Sequence, residues 1–167
     1  SLNFAVNDGS IMAANWVDVT HIESRNPFFG LNAPNRGHPE FADVDGDGDQ
    51  DLIIGFDGSS DSPSCQDIGM ERDISLVFYE NTGSISSPSF VLRPANDNDH
   101  NPFFGLKSRN DNLAPCAADF DGDGDLDVLL GNCQGKIEYF ENHGTSKEMM
   151  LILRETVATN PFYGIDV

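Results

Sequence analysis

Asp43, Asp45, Asp47, Asp49 and Asp51 recur 76 residues further on as Asp119, Asp121, Asp123, Asp125 and Asp127, both times in the frame Asp-x-Asp-Gly-Asp-Gly-Asp-x-Asp. Each copy is entered by an alanine, Ala42 or Ala118, and left by an apolar run ending in Gly55 or Gly131. Ten carboxylates in two nine-residue stretches repel one another unless a cation gathers them, and all-oxygen donors select a hard one. The spacing predicts two calcium sites, one ion per loop.

The chemistry of one loop explains the frame. Side chains at positions 1, 3 and 5 (Asp43, Asp45 and Asp47) converge on a point if Gly46 and Gly48 let the chain coil at positive φ. Position 7, Asp49, offers its main-chain carbonyl, and position 9, Asp51, closes the cage with one or both oxygens. That makes about six or seven oxygen ligands, a number that suits calcium better than magnesium. Asp119, Asp121, Asp123, Asp125 and Asp127 take the same places in the second loop. An EF-hand opens similarly but needs Glu at position 12 and flanking helices. Here position 12 is Ile54 or Leu130, within short strand-like runs. The bland alternative is a solvated acidic turn, which two copies in one frame argue against.

The elements that must hold these loops repeat as well. Phe78-Tyr79-Glu80-Asn81-Thr82-Gly83 is echoed by Tyr139-Phe140-Glu141-Asn142-His143-Gly144, and more faintly by Phe4-Ala5-Val6-Asn7-Asp8-Gly9. Asn26-Pro27-Phe28-Phe29-Gly30 returns as Asn101-Pro102-Phe103-Phe104-Gly105 and as Asn160-Pro161-Phe162-Tyr163-Gly164. The chain is an array. One unit reads as strand A into the metal loop (38–43; 114–120), strand B out of it (52–56; 128–131), strand C before Glu-Asn-x-Gly (74–81; 136–142) and strand D after the turn (90–93; 149–154). The expected fold is all-β, built of tandem four-stranded antiparallel meanders of the β-propeller blade type. Residues 1–37 form a partial unit with C and D equivalents (Leu2 to Asn7, Asn15 to His21). Residues 38–113 form a complete unit with an insertion at 57–73, and residues 114–167 form a second complete unit ending in a connector.

From Phe41 to Gly55 with Tyr79 to Gly83, and from Ala118 to Val128 with Tyr139 to Asn142, the chain resembles the FG-GAP/VCBS type of β-propeller repeat, related to the calcium-bearing blades of integrin α-subunits. The resemblance covers nearly the whole chain. It implies a calcium ion in the A-to-B loop of each blade and a role in extracellular adhesion, recognition or assembly, without supplying a ligand. About two and a half blades cannot close a ring, since propellers need about four to eight. The open ends therefore call for further blades of a longer chain or for copies of the same chain. A head-to-tail contact that does not close builds a fibre.

Composition agrees. The net charge is −19, and four positive charges from two calcium ions bring it to −15, which repels nucleic acid and anionic lipid. No 18-residue apolar stretch exists for a membrane span. Calcium loops of this kind fill near millimolar calcium, so the expected location is extracellular or the cell surface, and the initial Ser1 fits a processed chain or a fragment. Cys116 and Cys133 flank the second loop on neighbouring strands and are candidates for a disulfide, while Cys65 in the insertion leaves the pairing open. Trp16 reads as a packing residue of the N-terminal strand. The two rings of each Asn-Pro-Phe segment read as plugs of the inter-blade core, with carbohydrate stacking as the sharper alternative.

His21, His38, His100 and His143 make no ligand spacing, and no nucleophile elbow or phosphate loop appears. An enzyme is not expected. The function expected is an extracellular calcium-binding structural or assembly protein, polymerising head to tail. A carbohydrate- or protein-binding adhesion module from a larger propeller is the alternative.

Overall fold

Ten strands and no helix make up the computed structural model, which describes residues 3–32, 36–57, 74–108 and 112–165. They form three antiparallel sheets, none closed on itself. Strands β1 (Ala5–Asn7) and β2 (Trp16–Asp18) make a hairpin. The first four-stranded sheet runs in meander order through β3 (His38–Ala42), β4 (Asp51–Gly55), β5 (Leu76–Asn81) and β6 (Phe90–Arg93). The second repeats it with β7 (Ala114–Ala118), β8 (Asp127–Gly131), β9 (Ile137–Asn142) and β10 (Leu151–Arg154). Most of the insertion expected at 57–73, with Cys65, lies outside the described residues, as does Leu2.

Every expected strand is found, and several end sooner than the apolar pattern suggests. Strand β7 stops at Ala118 rather than Phe120 because the Phe120 amide donates to Asp127 Oδ2 (3.0 Å) and not to a neighbouring strand. At the end of β2 the Thr20 amide likewise turns back to Asp18 Oδ1 (2.9 Å).

The core lies between sheets. Strand β4 is buried on both faces. Leu52 and Ile54 point into a cluster with Phe56, Val77 and Tyr79, onto which Phe28 and Leu31 pack from the N-terminal side. Ile53 points the other way, with Leu76 and Phe78, into a cluster shared with Leu113 and with Val128, Leu130 and Phe140 of the second sheet. Burying each such side chain contributes about 1.5–3 kcal/mol. The sheets therefore stabilise one another through β7, which packs across β3 and β4.

The Asn-Pro-Phe segments divide their labour in a way the sequence reading did not separate. The first ring packs edge-on against an equivalent strand residue in every unit: Phe28 on Phe4 (5.2 Å), Phe103 on Phe78 (5.6 Å) and Phe162 on Tyr139 (5.6 Å). The second ring, expected to plug the core too, faces outward. The buried asparagine fixes each segment, since its amide donates to a main-chain carbonyl at or just after the preceding strand: Thr20 O at 2.8 Å, Arg93 O at 3.1 Å and Arg154 O at 2.9 Å.

Two further expectations are corrected. Trp16 is 69% exposed, because only the face of the hairpin bearing Phe4 and Val6 turns toward the first sheet. Cys116 and Cys133 are free and exposed. The register sets Cys116 opposite Leu129, four residues short of Cys133, and at about 3.4 Å per residue this exceeds the reach of a disulfide.

Gly55 and Gly131 hold equivalent places but differ in what surrounds them. A methyl on Gly55 would meet the Leu113 carbonyl oxygen at 2.1 Å, whereas one on Gly131 meets nothing closer than 3.7 Å. Gly55→Ala should therefore lower stability by about 1–3 kcal/mol, and Gly131→Ala should leave the urea midpoint nearly unchanged.

Candidate metal centre

Each acidic loop bridges the first two strands of its sheet. The coil is possible because Gly46, Gly48, Gly122 and Gly124 take φ of 68°, 99°, 85° and 100°, where other residues are strained. This geometry draws together the carboxylates of Asp43, Asp45 and Asp51, with one oxygen from each within 4.8 Å of the others. Asp119, Asp121 and Asp127 form the same tripod. Positions 1, 3 and 9 thus converge, whereas position 5, expected to meet positions 1 and 3, is in neither group.

Positions 5 and 7 stand outside these tripods. Asp47 Oδ1 accepts the Asp49 amide at 3.0 Å, and Asp123 Oδ1 accepts the Asp125 amide at 3.1 Å, so both carboxylates brace the turn. Asp49 is nonetheless buried, and its Oδ1 has no hydrogen-bond donor. Asp43 Oδ1 and Asp125 Oδ1 are buried and undonated too. A buried acceptor left unpaired costs about 1–3 kcal/mol, more when charged, and a bound cation removes that cost. Oxygen-only donors, tight turns and orphaned carboxylate oxygens fit a hard divalent ion held by Asp43, Asp45, Asp49 and Asp51 in the first loop. Asp119, Asp121, Asp125 and Asp127 are the corresponding set in the second.

Asp51 and Asp127 do more than offer a ligand atom. Asp51 accepts the Val44 amide (2.9 Å) on one oxygen and the Asn81 amide (2.8 Å) on the other. Asp127 does the same with Phe120 (3.0 Å) and Asn142 (2.8 Å), and also accepts the Tyr139 hydroxyl at 3.0 Å. One carboxylate therefore ties the acidic loop to the third strand of its sheet.

The Asn that donates there is a residue whose role the sequence did not reveal. Asn81 Oδ1 accepts the Gly83 and Ser89 amides (3.1 and 2.8 Å), closing the β5–β6 turn. Asn142 Oδ1 does likewise with Gly144 and Met150 (2.9 and 2.8 Å). The signal was present in the repeated Glu-Asn-x-Gly. The neighbouring glutamate of each copy forms a two-pronged ion pair, Glu80 with Arg93 and Glu141 with Arg154, leaving both committed to structure.

Electrostatics match a cation site. Burial pushes Asp51 up to about 6 against the opposing hydrogen bonds from Asn81 and Val44. Burial first, and neighbouring carboxylates after it, also raise Asp45, Asp49, Asp121 and Asp125 above the ordinary carboxylate value. The same burial, helped by Asp127, raises the Tyr139 hydroxyl, which stays a donor.

No known family model, curated protein or solved structure matches this chain.

The two loops differ in cover. Gly46 lies under the Ser146 carbonyl and Lys147 side chain of the second sheet's last turn, and an added Cβ would meet that oxygen at 2.4 Å. Around Gly122 there is nothing within 4 Å. Accordingly Asp43 and Asp45 are half-buried, and Asp119 and Asp121 are exposed.

The raised carboxylates set the pH response of the metal-free chain. Asp51 binds its proton more tightly folded (about 6) than unfolded (3.8), so the folded state holds more protons between those values. Metal-free stability should therefore fall as pH rises from about 4 to about 6 and then level off. In calcium the slope should reverse, because protons compete with the ion. Thermal unfolding at pH 4, 5, 6 and 7, in calcium-free and calcium-saturated buffer, checks both signs.

Proposed function

We propose that this chain is an extracellular calcium-binding structural repeat protein, its two four-stranded sheets being propeller-type blades of the FG-GAP/VCBS kind with one ion in each Asp loop. The observation that carries this reading is the duplicated carboxylate tripod with buried, undonated oxygens beside it. In this reading calcium is structural. It neutralises the loop and fixes Asp51 and Asp127, and through them the first three strands of each sheet. Sites of this type in extracellular modules work at about 10⁻⁴–10⁻³ M calcium, which links the fold to an exterior setting.

The same reading makes the chain an assembly unit. On the first sheet, the face bearing Phe78 and Phe103 is covered by the second sheet. The equivalent face of the second sheet, with Phe120, Tyr139 and Phe162, has no strand over it among the described residues. A further unit, from another copy or from a longer chain, would continue the stack and propagate it head to tail. The chemistry called for is structural.

Electron microscopy of purified protein, with calcium and then with chelator, tests the proposal. Filaments that form in calcium and dissolve on chelation are expected. Discrete single-chain particles at every calcium concentration would contradict assembly.

A further inference from the structure

We propose that a second copy of this chain covers the second acidic loop, its N-terminal hairpin turn (residues 8–15) lying over the loop while its Trp16 stacks on Phe162. This rests on the assembly reading above and names the contact that would carry it. The pattern for that contact is already present inside the chain, where successive units meet in two ways.

The first way is a turn laid over an acidic loop. The first loop lies under the β9–β10 turn of the second sheet, where a Cβ on Gly46 would meet the Ser146 carbonyl oxygen at 2.4 Å and Lys147 Cγ at 3.1 Å. Ser146 and Lys147 are the tip of a turn in which the His143 amide donates to the Met150 carbonyl (2.9 Å) and the Thr145 amide to the Glu148 carbonyl (3.0 Å). The β1–β2 turn repeats it bond for bond. There the Asp8 amide donates to the Asn15 carbonyl (2.9 Å) and the Ser10 amide to the Ala13 carbonyl (3.0 Å). Asn7 Oδ1 accepts the Gly9 and Asn15 amides just as Asn142 Oδ1 accepts those of Gly144 and Met150. Ile11 and Met12 therefore hold the places of Ser146 and Lys147. They are 97% and 92% exposed, and Gly122 in the second loop has no neighbour within 4 Å.

The second way is a connector ring meeting the residue that lies opposite the turn asparagine of the next unit. Phe28 stacks on Phe90 at 5.2 Å, and Phe90 lies opposite Asn81. Phe103 shares its cluster with Leu151, which lies opposite Asn142. Phe162 is the third connector ring, and no following unit covers it among the described residues. Trp16 is the third residue of the other kind, opposite Asn7 and 69% exposed.

The two contacts belong to one surface on each side. Phe120, inside the second loop, meets Phe162 at 5.3 Å, so loop and ring are neighbours. Trp16 directly follows the turn that ends at Asn15. The β5–β6 turn cannot substitute. Its tip residue Ile85 is also exposed, but the ring beside it, Phe90, is already stacked on Phe28. Of the three turns, the hairpin's alone has tip and ring both open. Its tip, Ser10 to Ala13, carries no charge and so adds no repulsion to a loop of carboxylates. The arriving copy keeps its own second loop and Phe162 uncovered, so the contact is heterologous and repeats.

Trp16 is the only tryptophan, so its fluorescence reports this contact and no other. The test is analytical ultracentrifugation of the full chain in millimolar calcium over a dilution series, with tryptophan emission recorded on the same samples. Sedimentation should quicken with concentration, and the emission should move to shorter wavelength in step as Trp16 leaves water. Met12→Asp sets a carboxylate over the acidic loop and should weaken association at least about tenfold. Ile85→Asp makes the same change at the unused tip and should leave association as in the parent. Both side chains are exposed, so both variants should keep the parent's melting temperature. Association with unmoved emission, association undiminished by Met12→Asp, or equal weakening by the two variants would overturn this contact while leaving assembly itself standing. A single-chain species at every concentration would overturn the contact and the assembly reading together.

Discussion

Replacing Asp51 with alanine should lower stability by about 3 kcal/mol or more in calcium and by about 2 kcal/mol without it. The change removes one corner of the tripod and strands the Val44 and Asn81 amides, both paired at under 3 Å in the native loop. Asp45→Asn should behave differently. Asparagine keeps an acceptor for the Asp47 amide, which Asp45 holds at 3.2 Å, but gives up the charge that faces the ion. Its cost should therefore appear only in calcium. In chelator it should be neutral or mildly stabilising, since burial and the carboxylates of Asp47, Glu80 and Asp43 all disfavour a charge there. Urea unfolding of both variants, with calcium and with chelator, separates the ligand role from the strand-tying role. Equal losses for both variants in both buffers would show that no such separation exists.

Phe103→Ala should have the second large effect, about 3–5 kcal/mol, and should also divide the unfolding transition. The ring is 4% exposed, packs edge-on to Phe78, and sits in the cluster that joins the two four-stranded sheets. Without it each sheet keeps its own hydrogen bonds but loses part of its hold on the other. Calorimetry should then give a van't Hoff enthalpy below the calorimetric one, whereas the two should agree for the parent protein. Phe162→Ala removes the equivalent ring from the end face, where it is only half-buried against Phe120 and Tyr139. It should cost less and leave the transition undivided.

Much of the strand layout was legible in the sequence because duplication wrote it down more than once. The positions of β3–β10 follow from landmarks flanking each loop, and the glycines that let the chain coil foretell a convergence of carboxylates, though position 9 and not position 5 joins positions 1 and 3. What escaped was set by the third dimension. The inward and outward rings of Asn-Pro-Phe-Phe are adjacent and chemically alike, so spacing cannot tell Phe103 from Phe104. The Cys116–Cys133 pairing failed on register, since adjacency of strands does not fix which residues lie opposite. Trp16 was read as packed because large aromatics usually are, yet only one face of its short hairpin has a neighbour. Asn81 and Asn142 end strand C in the sequence, and only coordinates reveal that they tie the following turn to the acidic loop.

Calorimetric titration of the metal-free protein with calcium is the most direct test of whether divalent ions organise these loops. Two ions bound per chain are expected, with a melting temperature that climbs as they bind. Both the heat and the climb should be absent when Asp45 and Asp121 are changed together to asparagine. No bound calcium at millimolar concentration, with identical unfolding in calcium and in chelator, would contradict it.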